Sequence, residues 1–407
     1  MLATLIPMFD DKMSVKAYSL FSQKNNYLLT PNYGSTGLFD GAGHINGLEV
    51  INSIGIETIS ADKEIFVPVN NISLFSDIES QSNAPAERLV LLIDNSVLPQ
   101  EMYVNRLQEL KSRGYRFAMR KLPVHSFEDY RSILSLCDYI FLNHRKIDIN
   151  KAKIYFTNVY PNMKLIAVNI RNQEEFDMLK ANGGYAFYEG EFYRTPIDEC
   201  DTHISPLKIN YIELLNIVNN DDFDLTDAAD VIGRDTALVL SLLEIVNRMA
   251  INSEITSIRH AAAMLGQKEL KKWTTTAVTR QLCLDKPNEI MRISLIRAKF
   301  CENLAPAFSL GMRSQELFLM GLFSVLDLIL DRPMEEALKM VILSKDICKA
   351  LTEQSGNLAP VLHFILQYEN ANWQEISRIM LLENINMDDV YNAYCDALKW
   401  YRHIFSE

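Results

Sequence analysis

The hydrophobic pattern of this 407-residue chain changes near residue 200. Before that point, short apolar runs of strand type alternate with stretches in which apolar residues recur every three or four positions. The predicted strands are residues 4–9, 15–21, 65–69, 89–93, 116–119, 139–142, 164–168 and 185–188. The helices predicted between them are residues 47–58, 100–112, 127–136, 150–159 and 174–180. Eight strands with interposed helices predict a modified (β/α)8 TIM-like barrel.

Two details of the strand pattern refine this barrel. Several of the strands are nearly continuous apolar runs, as expected when helices cover a parallel sheet. The first two strands are separated only by the short turn "DDKM", which predicts a hairpin. One strand is therefore expected to run antiparallel to the others.

After about residue 205 the apolar residues keep a helical spacing and alternating strands disappear. Asp224 and Thr226 occupy positions where helix caps are expected, ahead of a long apolar-periodic stretch. Further helices are predicted at residues 258–265, 269–283, 289–304, 315–330, 334–340, 344–353, 358–368, 373–381 and 387–404. The fold class is thus α/β plus all-α, with a barrel at 1–203, a helical domain at 204–407, and the boundary in "RTPIDECDTHISPL" (194–207).

Charge and composition limit the class of protein. The formal net charge is −12, with 52 acidic and 40 basic residues, which disfavours binding to a nucleic-acid backbone. The start "MLATLIPMFDDKMS" lacks the basic region of a signal peptide, and no apolar run approaches the roughly 20 residues of a membrane span. The six cysteines form no CxxC pair, which favours reduced thiols over a disulfide frame or zinc site. We expect a soluble, cytoplasmic protein without membrane insertion.

The second half resembles the HDOD domain, a helical signalling module related to HD phosphohydrolases. Its motifs occur in order: "LLEIVNRMA" (242–250), "ITSIRHAAAMLGQKELKKW" (255–273), "RAKFCENLA" (297–305), "LFLMGLFSVLDLIL" (317–330) and "QYENANW" (367–373). An HD hydrolase needs a His-Asp pair among its metal ligands, and none of the seven histidines is followed by Asp. The resemblance therefore implies a helical domain without that metal set.

The first half resembles the EAL domain, which hydrolyses cyclic di-GMP. The resemblance is carried by the strand–helix order, by "PMFD" at the start (7–10) and by "EGEFYRTP" (189–196) near the family's closing Gln-Gly…Pro segment. A degenerate EAL barrel followed by HDOD is a bacterial signalling architecture, and the two resemblances support each other.

The EAL resemblance implies a site that this sequence does not reproduce. The family's hydrolysis uses carboxylates and an Asn around divalent cations that activate water. Its signature Glu and its phosphate-contacting Arg match Ser19 and Gln23. The other matched positions are Pro68 for the Asn (with Asn70 two residues on), Leu92 for a metal Glu, Met119 and Arg120 for paired acids, Phe141 and Asn143 for Lys and Asp, Val168 and Arg171 for two Glu, and Glu189 for the closing Gln. Gly190 and Pro196 agree with the family.

Several other residues allow two interpretations. Arg120 with Lys121 suits either an anion site or, as we favour, a solvated or ion-paired strand end. We interpret Asp10 and Asp11 as a polar turn rather than a catalytic pair. Asn247 and Trp273 are possible interaction residues, but a loop-pinning role and a packing role are favoured respectively. The glycine-rich stretch 33–47 lacks phosphate-loop spacing, and Cys301 is expected in the core.

The leading hypothesis is a catalytically inactive EAL–HDOD protein that acts through protein–protein interaction, without catalytic residues, metal or cofactor. The barrel is expected to supply a surface for homodimerisation or docking, and the helical domain to present an apolar groove to another signalling protein. Two alternatives remain open: a non-catalytic cyclic di-GMP receptor, and a residual metal-dependent phosphodiesterase or other hydrolase.

Overall fold

The computed structural model describes residues 1–26, 28, 43–196, 206–220, 222–249 and 255–405. They form two compact units. The first combines Met1–Thr195, Lys299–Ser314 and Val361–Glu407, and the second combines Pro196–Ala298 and Gln315–Pro360. Most of the glycine-rich stretch lies outside the described residues.

The first unit contains a closed barrel whose eight strands follow one another in chain order. The strands are β1 (Leu2–Phe9), β2 (Val15–Gln23), β3 (Glu64–Pro68), β4 (Leu89–Ile93), β5 (Arg116–Met119), β6 (Tyr139–Asn143), β7 (Lys164–Ile170) and β8 (Tyr185–Gly190). β1 is antiparallel to both β2 and β8, and the remaining neighbours are parallel. The predicted barrel and its hairpin are confirmed.

The barrel lumen is filled by apolar side chains. They come from alternate strand positions, since successive side chains of a strand point to opposite faces. The lumen cluster consists of Met8, Ala17, Phe66, Val90, Leu92, Ala118, Tyr139, Phe141, Ile166 and Val168, with Phe187 packed against it. This barrel has a packed core and not an open channel.

The helices around the barrel are α1 (Asn46–Ile54), α2 (Ile56–Ser60), α3 (Ile78–Gln81), α4 (Glu101–Ser112), α5 (Arg131–Leu134), α6 (Ile149–Val159) and α7 (Gln173–Asn182). The helix predicted at 47–58 is interrupted at Gly55, whose φ of 90° ends α1. The helix predicted at 127–136 shrinks to α5, because the residues before α5 form i→i+3 turns, such as Phe127 N–H to Val124 C=O.

The last helices of the chain, α17 (Ala359–Glu369), α18 (Trp373–Leu382) and α19 (Met387–Phe405), contribute to the barrel unit. α19 packs against β1 and α2. The buried Tyr368 hydroxyl accepts a hydrogen bond from the Ala3 N–H at 3.1 Å. The structural division is therefore discontinuous, whereas the sequence predicted a single cut between 203 and 204.

The second unit is helical. Its helices are α8 (Pro206–Asn219), α9 (Leu225–Ile232), α10 (Thr236–Met249), α11 (Ile258–Leu282), α13 (Ser314–Phe323), α14 (Leu326–Leu330), α15 (Met334–Leu338) and α16 (Lys345–Thr352), and the division between the units falls within α12 (Asn288–Leu304). α11 packs against α8, α9 and α10. Asp224 caps α9 by accepting from the Thr226 N–H, as predicted.

Breaks in the long helical stretches were only partly predicted. Gly266 interrupts α11 with φ +72°, between the two helices predicted at 258–265 and 269–283. The helix predicted at 315–330 is instead split into α13 and α14, because Val325 has a non-helical backbone. Beside it, the Ser324 hydroxyl donates to the Gly321 carbonyl, and such local bonds compete with helix continuation.

Candidate functional site

The carboxyl ends of the parallel strands are where a barrel of this type presents functional side chains. Here strand alternation brings several of the predicted positions to one end of the lumen. We call this end the barrel mouth and define it by Ser19, Arg120, Phe141 and Glu189. Arg120 directly follows β5, and its N–H donates to the Ile93 carbonyl at 2.9 Å, which extends the parallel ladder.

An ion pair crosses the barrel mouth. The Arg120 Nη2 and Nη1 atoms donate to the two carboxylate oxygens of Glu189 at 2.8 and 3.2 Å. The Ser19 hydroxyl donates to the same carboxylate at 3.2 Å. The side chains of Arg120 and Glu189 are only 21% and 6% exposed. This is the fork geometry in which Arg binds a carboxylate most strongly, and it ties β2, β5 and β8 together.

Two aromatic rings enclose the guanidinium. The Arg120 Cζ atom lies 5.2 Å from the ring centroid of Phe21 and 5.0 Å from that of Phe141. Both distances allow a cation–π attraction. Phe21 was not singled out from the sequence, although it follows Ser19 by two residues on β2 and so points the same way.

The oxygen donors at the barrel mouth do not fit the divalent cations that the EAL resemblance implies. Leu92 and Val168 offer no donor atom, the Glu189 carboxylate is bonded to Arg120, and the Asn143 amide oxygen accepts from the Arg145 N–H. A guanidinium at this place also repels a metal ion. Over the described ranges, no group of three His, Cys, Asp or Glu side chains is arranged to hold a metal.

Two predicted pocket positions lie elsewhere. Met119 is fully buried but, because it alternates with the lumen-facing Ala118 and Arg120, it points out of the lumen. Arg171 follows the end of β7, is exposed, and donates its N–H to Glu175. Strand alternation thus decides the direction of Met119, whereas Arg171 lies beyond the end of its strand.

The remaining predicted positions lie at strand ends. Pro68 is exposed at the last residue of β3. Gln23 ends β2 and donates its Nε2 to the Asn25 carbonyl and, at 3.4 Å, to the Ser377 hydroxyl. Asn70, the alternative to Pro68, accepts from the Ile72 and Ser73 N–H groups and so forms a local turn.

The turn between β1 and β2 contains a charged side chain that is hydrogen-bonded to the backbone of the turn. The Asp10 carboxylate accepts from the backbone N–H groups of Lys12 and Ser14, both at 2.9 Å. These bonds fit the predicted polar hairpin turn. Lys121, next to Arg120, is exposed and has a φ of 60°.

A second polar group closes the opposite end of the lumen. Glu64 accepts from Arg116 at 2.6 Å and from the Tyr139 hydroxyl at 2.8 Å. Burial and the neighbouring Glu64 carboxylate raise the pKa of Tyr139 well above its ordinary value. No local sequence pattern marks this group, since its members lie on three strands and the only signal is a charged residue at the start of two of them.

In the helical unit, the Asn247 side chain is bonded to the backbone of Ile255. Its Nδ2 donates to the Ile255 carbonyl at 2.9 Å, and its Oδ1 accepts from the Ile255 N–H at 2.7 Å. Trp273 is half-buried on α11, and Cys301 is fully buried, as expected. A cleft of about 370 Å³ lies between α9 and the start of α11, where Arg259 is paired with Asp230 at 2.9 Å.

The HDOD domain family model matches residues 204–354. The chain therefore contains an HDOD domain, and its barrel has the strand order and the antiparallel first pair predicted from the sequence. It is a signalling protein that combines these two parts.

Two curated proteins are similar over much of the chain. The cyclic di-GMP phosphodiesterase CdgJ of Vibrio cholerae is 27% identical over 325 residues, which is 79% of this chain and 74% of CdgJ. The uncharacterized protein YuxH of Bacillus subtilis is 27% identical over 411 residues, 97% of this chain and 96% of YuxH.

Solved EAL structures are also similar in part. The EAL enzyme Bd1971 in its cAMP-bound form has a TM-score of 0.38 at 14% identity, covering 48% of this chain and 62% of that one. A standalone EAL protein from Vibrio cholerae O395, bound to c-di-GMP, has a TM-score of 0.37 at 13% identity, covering 50% of this chain and 95% of that one.

In the described part of the chain, no helix is long and apolar enough to cross a membrane.

Proposed function

We propose that the chain is a catalytically inactive EAL–HDOD protein that acts in signalling by binding other proteins. The observation that carries this proposal is the barrel mouth, where Arg120, bonded to Glu189, takes the place at which the EAL resemblance puts a metal-binding acid. Divalent cations activate water and neutralise phosphate charge in such a hydrolysis, and no group of three His, Cys, Asp or Glu side chains among the described residues is arranged to hold one.

The same ion pair argues against a nucleotide receptor. A cyclic dinucleotide brings two phosphates, and the Arg120 guanidinium at the barrel mouth already has a carboxylate for its partner. The Glu189 carboxylate also repels a phosphate at short range. The position of the signature Arg is occupied by Gln23, whose amide nitrogen is directed to Asn25 and Ser377.

The HDOD region supplies apolar surface for a partner. On α10, Ile245 and Met249 lie one helical turn apart on the same side of the helix and are 41% and 56% exposed. Clustered exposed apolar side chains are typical of protein interaction sites. The partner that we propose is another signalling protein, with a second copy of this chain as a further arrangement.

Titration and turnover test the proposal directly. The purified full-length chain is titrated with cyclic di-GMP in a calorimeter, and hydrolysis is followed with magnesium and with manganese. We expect neither binding nor turnover, while CdgJ, named a phosphodiesterase, serves as the comparison enzyme. Micromolar binding without hydrolysis would make the chain a receptor, and clear turnover would make it an enzyme.

Partner capture tests the positive half of the proposal. The full-length chain is used as bait in its native cell, and captured proteins are identified by mass spectrometry. An Ile245→Glu variant is expected to lose the specific partner, since it places a charge on the face of α10 where Ile245 and Met249 are exposed. An exposed control, Lys268→Ala on α11, should capture as the wild type does.

A further inference from the structure

The surroundings of Arg120 have the features of an anion-binding site. An Arg side chain stays charged at any ordinary pH and presents a planar fork of donors. Here the guanidinium lies over the rings of both Phe21 and Phe141, and these contacts restrict the orientation of the fork. The anion to which that fork is bonded, Glu189, belongs to the same chain.

The carboxylate of Glu189 is held rigidly in place. β8 is paired on both sides at this residue, with Met8 of β1 and Val168 of β7. Ser19 adds a second donor. The next residue, Gly190, lies so close to β7 that a Cβ there would be 2.0 Å from the Ile170 carbonyl oxygen. The strand therefore presents its carboxylate in one position.

We propose that Glu189 is a built-in ligand that occludes a carboxylate-binding site at the barrel mouth. The site consists of the Arg120 fork, the Ser19 hydroxyl and the rings of Phe21 and Phe141. The occlusion deepens the proposed function, on which it rests, because the internal carboxylate itself keeps an external anion away from Arg120. Removing that carboxylate leaves a partly buried guanidinium, only 21% exposed, without its counter-ion, which is an unfavourable state.

Replacing the lost side chain with a free anion tests this occlusion. Full-length Glu189→Ala is expected to melt roughly 5 °C or more below the wild type. Sodium acetate, whose carboxylate fits the vacated space, should restore about half of this loss or more by binding the folded state. Sodium chloride of equal ionic strength should not. The wild type and the double variant Glu189→Ala with Arg120→Met should show no acetate-specific rise.

A second variant and a second measurement test the occlusion even if Glu189→Ala does not fold. Glu189→Gln keeps the shape of the side chain, so its amide fills the space and acetate should not stabilise it. In the wild type, the Arg120 Nε–H signal in NMR should stay in place during an acetate titration. The occlusion is overturned if that signal shifts in a saturable manner, if Glu189→Gln binds acetate, or if Glu189→Ala responds equally to acetate and chloride.

These outcomes are separate from those of the proposed function. Hydrolysis of cyclic di-GMP by the wild type would rule out the proposal that the protein is inactive, independently of how acetate affects the melting of the variants. Conversely, if Glu189→Ala responds no more to acetate than to chloride, the proposal of an occluded site is wrong. That result would not affect the proposal that the protein is catalytically inactive.

Discussion

In the helical unit, Asn247 of α10 binds the backbone of Ile255 with both ends of its amide. It donates to the Ile255 carbonyl and accepts from the Ile255 N–H, which satisfies two backbone groups at once. A backbone group that loses such a partner away from water costs free energy. The residue therefore serves the local fold in a motif that resembles HDOD, and a direct role in partner binding stays a prediction.

Asn247→Ala is expected to lower the free energy of unfolding by roughly 1–3 kcal/mol, because both Ile255 groups lose their partner. Urea denaturation followed by circular dichroism measures the change. The control is Glu244→Ala on the same helix, which removes an exposed pair with Arg248 and is expected to change stability by about 0.5 kcal/mol or less. Equal effects of the two substitutions would rule out the loop-pinning role.

At the scale of elements, one hydroxyl links the first strand to a helix near the end of the chain. Tyr368 on α17 is fully buried, and its hydroxyl accepts from the Ala3 N–H on β1. Around it, Phe300, Trp373 and Tyr394 form an aromatic cluster with ring centroids 5.1 to 5.5 Å from that of Tyr368. The contact forms part of the outer layer over β1, so it stabilises the barrel.

Tyr368→Phe keeps the aromatic packing and removes the hydroxyl. The buried Ala3 N–H then has no partner, and we expect a loss of roughly 1–3 kcal/mol in the free energy of unfolding. Tyr185→Phe is the matched control, since the buried Tyr185 hydroxyl has no hydrogen-bond partner among the described residues. In chemical denaturation, Tyr185→Phe is expected to leave the free energy of unfolding unchanged or slightly higher. A denaturation curve of Tyr368→Phe that matches that of Tyr185→Phe would contradict the prediction.

At the scale of the whole molecule, the barrel unit is assembled from three separate segments of the chain. Residues 299–314 and 361–407 are remote in sequence from the strands that they accompany. They cover apolar surface that a chain ending near residue 203 leaves exposed to water, and burial of such surface is the main stabilising term in folding.

A fragment of residues 1–203, the barrel domain as predicted from the sequence, is therefore not expected to fold stably by itself. It should be poorly soluble, or should unfold without a cooperative transition in urea, while the full chain unfolds cooperatively. Circular dichroism and sedimentation of both proteins measure this. A soluble monomeric fragment with a sharp transition would show that the two remote segments are dispensable.

The sequence by itself determined the class of fold and most element positions. Several strands are short, nearly continuous apolar runs, and that pattern is expected where helices cover a parallel sheet. The short turn "DDKM" likewise determined the antiparallel first pair, since only a hairpin connects two strands so briefly. These are local properties, which neighbouring residues encode.

The tertiary structure alone decided what the barrel mouth contains. Arg120, Glu189 and Phe21 are far apart in the sequence, and only closure of the barrel brings their side chains within contact distance. It also decided that Met119 turns away from the lumen and that the last helices join the barrel unit. Contacts between remote residues depend on strand register and on burial of whole faces, which no local pattern specifies.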